Sequence, residues 1–193
     1  MKRSGLFGLS MLMSAAVLSV LAITTGWSQS LTWLGTLGGR DSYAYGVSTG
    51  GNVVVGWARN AAFQQRAFRW ENGVMQDLGT LGGIESVAFG VSAGGNVVVG
   101  RAQDAAGRLR AFRWTAADGV EDLNITYADL LTPDSYLVEA RAISPNGRYI
   151  VGYGYNAATG RFEGYLLDTI PEPASLLALG AGLAGLALRR RKR

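Results

Sequence analysis

Leu34-Gly-Thr-Leu-Gly-Gly39, Gly50-Gly-Asn-Val-Val-Val-Gly56 and Ala67-Phe-Arg-Trp70 recur at residues 78–83, 94–100 and 111–114, each 44 residues further on. A fixed period of this size is the signature of a repeat architecture, in which one supersecondary unit is copied and stacked. A degraded third copy follows: residues 142–152 align with residues 90–100 at an offset of 52, after an insertion around residues 125–132, and Gly164-Tyr-Leu-Leu167 stands where Ala-Phe-Arg-Trp stood. The copy divides into four short strands at residues 42–48, 52–59, 66–71 and 74–78, separated by Gly50-Gly51 and Asn72-Gly73, residue types that accept the positive φ of tight hairpins. No stretch between residues 31 and 168 carries a helical period, so the expected fold is all-β, built from three four-stranded antiparallel repeats of about 44 residues.

A four-stranded unit of that length has the size of a β-propeller blade. Residues 31–35 match the fourth strand of a repeat and the chain's last strand ends near Asp168. The N-terminal strand is therefore expected to complete the last blade and hide both sheet edges. Three blades are few for a propeller, which leaves a tight three-bladed assembly, half of a six-bladed dimer, or an open stack of small sheets as alternatives.

Outside the repeats the two ends read as addresses. Lys2 and Arg3 precede an apolar run at residues 6–25, and Gly26 and Ser28 suit the −3 and −1 positions of a cleavage site. Residues 1–28 are thus an expected signal peptide, using the Sec translocon and signal peptidase, with an uncleaved transmembrane helix as the alternative. The chain has no cysteine, which excludes a lipoprotein acylated at a new N-terminal Cys. At the other end Pro171, Glu172 and Pro173 precede fifteen apolar residues and a basic run including Arg189, Arg190 and Arg191. Fifteen helical residues span about 22 Å, a marginal membrane anchor, with the positive tail expected in the cytoplasm.

This order of Pro-Glu-Pro, apolar span and arginine cluster over residues 171–193 resembles the PEP-CTERM sorting signal of Gram-negative bacteria. The resemblance implies processing by an exosortase-type peptidase and delivery to the cell surface or an exopolysaccharide matrix. The body at residues 29–170 resembles the HAF family of extracellular repeats, on residues 34–39, 44–48, 54–56 and 67–70 and their second copies. That family implies no reaction.

Between the addresses stand eleven Lys and Arg against thirteen Asp and Glu, a net charge of −2, so the basic sequence pI of 9.6 belongs to the ends. A nucleic-acid partner has no support in the body's charge. Gly46-Val-Ser48-Thr-Gly50 and Gly90-Val-Ser92-Ala-Gly94 fit the G-x-S-x-G pattern, but with no histidine in the chain and a turn after each serine they are expected to be structural. Gly180-Ala-Gly182-Leu-Ala-Gly185 fits a dinucleotide fingerprint yet lies in the apolar anchor, without a βαβ unit. No cofactor, metal site or catalytic residue is expected; Asp77 and Asp122, which recur after the last turn of their repeats, are expected to close turns.

Phe68, Trp70, Phe112 and Trp114 share one strand face and are expected core. Trp57, Tyr43, Tyr45, Tyr153 and Tyr155 depart from the repeat consensus and are the candidate ligand-binding residues, suited to stacking on sugar rings. The expected function is that of an exported, non-enzymatic surface or matrix protein that binds or scaffolds exopolysaccharide, with self-association among its possibilities. The alternative is a carboxylate-based glycoside hydrolase or lyase acting on the same matrix.

Overall fold

A computed structural model describes residues 29–170. The expected signal helix, the C-terminal membrane helix and the Pro-Glu-Pro and arginine positions lie outside them. Among the described residues no helix is long and apolar enough to cross a membrane. Residues 29–32 carry neither helix nor strand and are set apart from the unit that begins at Trp33.

From Trp33 the described residues form three antiparallel sheets in chain order. The first holds β1 (Gly38–Val47), β2 (Val53–Asn60), β3 (Gln65–Glu71) and β4 (Val74–Asp77). The second holds β5 (Gly82–Val91), β6 (Val97–Asp104), β7 (Leu109–Thr115) and β8 (Gly119–Asp122), and the third β9 (Tyr136–Ile143), β10 (Tyr149–Asn156) and β11 (Arg161–Asp168). Strands lie in sequence order within every sheet, because each connection is a tight turn. At Asn72-Gly73 both φ angles are positive, 50° and 84°, as the hairpin between β3 and β4 requires.

The sheets pack face to face in chain order, each on the next, with the first strands β1, β5 and β9 adjacent in a propeller-like manner. Two cores result. Val53, Val55, Ala67 and Leu78 of the first sheet meet Ala88, Val98, Ala102, Phe112 and Trp114 of the second. Val99, Ala111 and Leu123 then meet Leu137, Ala140, Ile150 and Leu167. Phe68 and Phe112 are fully buried and Trp114 nearly so, which bears out their core role, while Trp70 is half-buried.

The motif residues mostly hold turns. Thr36 Oγ1 donates to Gly39 O and accepts from Gly38 N, and Thr80 repeats this with Gly83 and Gly82. Ser48, Ser92 and Ser144 each accept, on Oγ, the backbone N–H five residues ahead, at 2.9–3.2 Å. The G-x-S-x-G serines are therefore turn clasps. Asp77 Oδ1 accepts from Gly79 N and Asp122 Oδ1 from Asn124 N, both at 2.8 Å, as their recurrence suggested.

The all-β reading holds with one addition, and one expectation is corrected. The insertion contains a four-residue helix, α1 (Leu123–Thr126), capped by Asp122, and a 3₁₀ turn at Ala128–Leu130. A single turn is too short to show a helical period, so capping and the burial of Leu123 specify it instead. Residues 31–35 also form no strand, and the third sheet keeps three strands with the outer edge of β11 unpaired. The strand that would complete it is not supplied from within the described chain.

Candidate functional site

Three β-bulges build the site. In β1 the pairing with β2 shifts between Ala44 and Gly46, in β5 between Ala88 and Gly90, and in β9 between Ala140 and Ala142. The extra residues are Tyr45, Phe89 and Arg141. An extra residue in one strand escapes the ladder and turns its side chain in a new direction, and bulges gather beside functional sites for that reason. Repetition of the bulge lines the three side chains up across the sheets.

The Tyr45 and Phe89 rings stack with centroids 5.7 Å apart, and the Arg141 guanidinium lies 4.8 Å from the Phe89 centroid. Tyr43 stacks on Trp57 at 4.6 Å with planes 21° apart, and Trp57 Nε1 donates to the Tyr45 hydroxyl at 3.1 Å. Arg59 approaches the outer side of Trp57 at 6.0 Å. Four rings and two guanidiniums thus form a continuous surface. Tyr43 and Tyr45 are 52% and 53% exposed, so this surface is open to a ligand.

Glu139 anchors its far end. Its side chain is only 1% exposed and is gripped by Arg101 on one oxygen and by Arg141 Nε, 2.6 Å away, on the other. Arg141 Nε sits off the line that a hydrogen bond requires, so that second contact is ionic. Arg101 also lies 5.8 Å from the Phe89 centroid, so one buried carboxylate orients both cations around one ring. Burial and the charge of Glu139 push the neighbouring Tyr165 hydroxyl well above the ordinary tyrosine range, and that hydroxyl donates to Glu139 O.

Of the five candidate residues, Tyr43, Tyr45 and Trp57 come together here. Tyr153 and Tyr155 do not: they join Tyr136 and Phe162 in a second cluster, with Tyr155 stacked on Tyr136 at 5.5 Å. Beside it runs a groove of about 750 Å³ lined by Tyr136, Val138, Tyr153, Phe162, Arg108 and Arg110. Phe89, Arg101, Glu139 and Arg141 escaped the sequence reading. The available signal was that Phe89 stands 44 residues after Tyr45, an aromatic in both copies, but only the bulge shows where it points.

Among the described residues no group of three acids or other ligands could hold a metal ion. The carboxylates that depart from their ordinary range do so downward. Asp104 is lowered chiefly by the Arg108 backbone N–H, Glu163 by the Asn156 amide, and Asp168 by the Arg148 guanidinium.

The chain runs pinned up to its last described residues, with Thr169 N and Oγ1 both donating to Arg148 O and Ile170 N to Asp168 Oδ1. Residues 169–192 match the PEP-CTERM protein-sorting motif. The PEP-CTERM motif implies export and a membrane-anchored sorting signal handled by an exosortase-type peptidase, as the sequence suggested. It begins where the β-body ends, so the sorting signal and the fold are consecutive in the chain.

No curated protein matches the chain. Among solved structures, TolB of Agrobacterium tumefaciens is similar at 18% identity and a TM-score of 0.47, covering 67% of this chain and 46% of that one. TolB of Acinetobacter baumannii is similar at 11% identity and a TM-score of 0.41, covering 64% and 31%. This chain therefore spans less than half the length of either.

Proposed function

We propose that this is a non-enzymatic surface or matrix protein whose β-body binds exopolysaccharide through the row Trp57, Tyr43, Tyr45, Phe89 and Arg141. One observation carries the reading: Tyr43 and Tyr45, which break the repeat consensus, are exposed, and they stack face to face on half-buried Trp57 and on Phe89 at the surface rather than in a core. Aromatic faces suit the apolar faces of sugar rings, and the Arg141 and Arg59 guanidiniums at its ends suit acidic substituents. Export through the Sec translocon and removal of residues 1–28 by signal peptidase complete the account.

The non-enzymatic part rests on the acids. A glycosidase needs a carboxyl group raised in pKa to donate a proton. Asp104, Glu163 and Asp168 are pushed the other way. No observation favours hydrolysis or lysis of the matrix.

A gel containing the host's exopolysaccharide should retard the parent protein, and the Tyr45→Ala, Trp57→Ala double variant should bind about tenfold or more weakly, as expected when two ring anchors are removed. Equal retardation of the two would overturn the assignment. Replacing Pro171, Glu172 and Pro173 by alanine should trap the protein in the membrane fraction with its C-terminus intact. An unchanged surface or medium form, read by intact mass, would show that these residues do not direct sorting.

A further inference from the structure

The two internal interfaces of the stack are built by the same rule, and each end of the stack presents one half of it. At the forward face of each sheet, Val55 and Val99 are fully buried against the next sheet. Their counterpart in the third sheet is Val151, paired with its neighbours in the same register, and it is 41% exposed. At the backward face, Ala88 and Ala140 are fully buried, whereas their counterpart Ala44 is exposed. Val91 and Ile143 pack against the two cores, yet their counterpart Val47 is 60% exposed.

The turns repeat the pattern. Val53 presses on Gly95 and Val97 lies on Gly147, but among the described residues nothing lies on Gly51, and the matching Tyr149 is 38% exposed at the opposite end. Ser86 Oγ donates to Gly79 O and accepts from Ala67 N across the first interface. Ser42 Oγ makes the equivalent bond to Gly35 O, while the residue matching Ala67 at the far end is Gly164, on the unpaired outer edge of β11. Finally, Trp33-Leu34-Gly35 precedes β1 as Asp77-Leu78-Gly79 precedes β5, a fourth-strand sequence with no third strand beside it. What one end lacks the other end supplies.

We propose that a second copy of this chain docks head to tail, with Ala44, Val47 and Gly51 of one copy covering Val151, Tyr149 and Leu166 of the other. Residues 33–34 then lie along β11 as its missing fourth strand. Such an interface is heterologous, joining two different patches. One internal bond cannot be copied. Thr49 N donates to Ala93 O and Ala93 N to Pro145 O, but proline has no N–H to extend the series. The junction between copies is therefore weaker than the junctions within one, and assembly is reversible. The aromatic row runs across the sheets in the stacking direction, with Tyr43 and Tyr45 on either side of Ala44, so docking by the same rule sets Tyr45 of one copy beside Arg141 of the other and continues the row.

The test uses the full chain expressed in its host and purified in the form that accumulates, with mass followed by sedimentation over a dilution series. The parent should exceed the monomer mass and dissociate on dilution. Ala44→Arg and Val151→Arg should each leave only monomer, and their equimolar mixture should recover a two-copy species, because each supplies the patch that the other lacks. Val47→Lys and Leu166→Lys, also at exposed positions, serve as the second pair should the first lose its far-UV dichroism. A parent that stays monomeric at every concentration overturns the proposal. So does a variant that keeps the parent mass by itself, a mixture that stays monomeric, or a parent whose ends are covered by its own terminal segments or by another macromolecule.

Discussion

Gly100→Ala should lower stability by about 3 kcal/mol and the melting temperature by roughly 10 °C, as expected for overpacking a dense core. The cause is the bulge in β5. Beside it Val87 O occupies the place that a Gly100 Cβ would take, and the fully buried Phe112 ring closes on the same space. A methyl group there would overlap the carbonyl oxygen and stand 2.7 Å from Cε1 of Phe112. Neither backbone nor a ring held in a core can retreat cheaply. Gly56 and Gly152 face Tyr43 O and Glu139 O in the same way, so the glycine that closes each Val-Val-Gly or Ile-Val-Gly run is a requirement of the bulge. Thermal unfolding followed by far-UV dichroism reads the effect. A loss of less than about 1 kcal/mol, the scale of an ordinary surface change, would mean that the sheets do not close over this position.

Arg101→Ala should cost about 2 kcal/mol. Removing one partner of a buried ion pair costs roughly 3–5 kcal/mol because the remaining charge is stranded. Here Arg141 still contacts Glu139, which softens the loss, but Arg141 is 57% exposed and Arg101 only 33%. Arg141→Ala should therefore cost less, under about 1 kcal/mol, as for exposed pairs. The Arg101→Ala, Glu139→Gln double variant should regain more than half of the loss, since the stranded charge is then gone. Chemical denaturation of the three variants decides the matter, and a double variant no more stable than Arg101→Ala would show that packing of the arginine stem, not charge, is what Arg101 contributes. Because these side chains flank Phe89, loss of the pair should also disturb the end of the aromatic row.

How much of this was legible beforehand differs by residue. The recurrence of Leu-Gly-Thr-Leu-Gly-Gly, Val-Val-Val-Gly and Ala-Phe-Arg-Trp placed the hairpins within a few residues of where they stand, because tight turns and period-two alternation are local properties. The turn roles of Ser48, Asp77 and Asp122 were local too. Tyr45, Phe89 and Arg141 show the limit: they are one tyrosine, one phenylalanine and one arginine at matching positions, and nothing in their identities says that each is a bulge.

By itself the sequence determined the all-β class, the sheet order, the turn clasps and the sorting motif at residues 169–192, all of which depend on neighbours in the chain. The tertiary structure alone decided three things. It aligned the bulges into a row, separated Tyr153 and Tyr155 from Tyr43, Tyr45 and Trp57, and left the third sheet three-stranded with Val151 and Ala44 uncovered at opposite ends. The physical reason is that repeat identity fixes what each sheet offers its neighbours, whereas whether the first and last sheets meet depends on how the stack closes, which no single copy encodes.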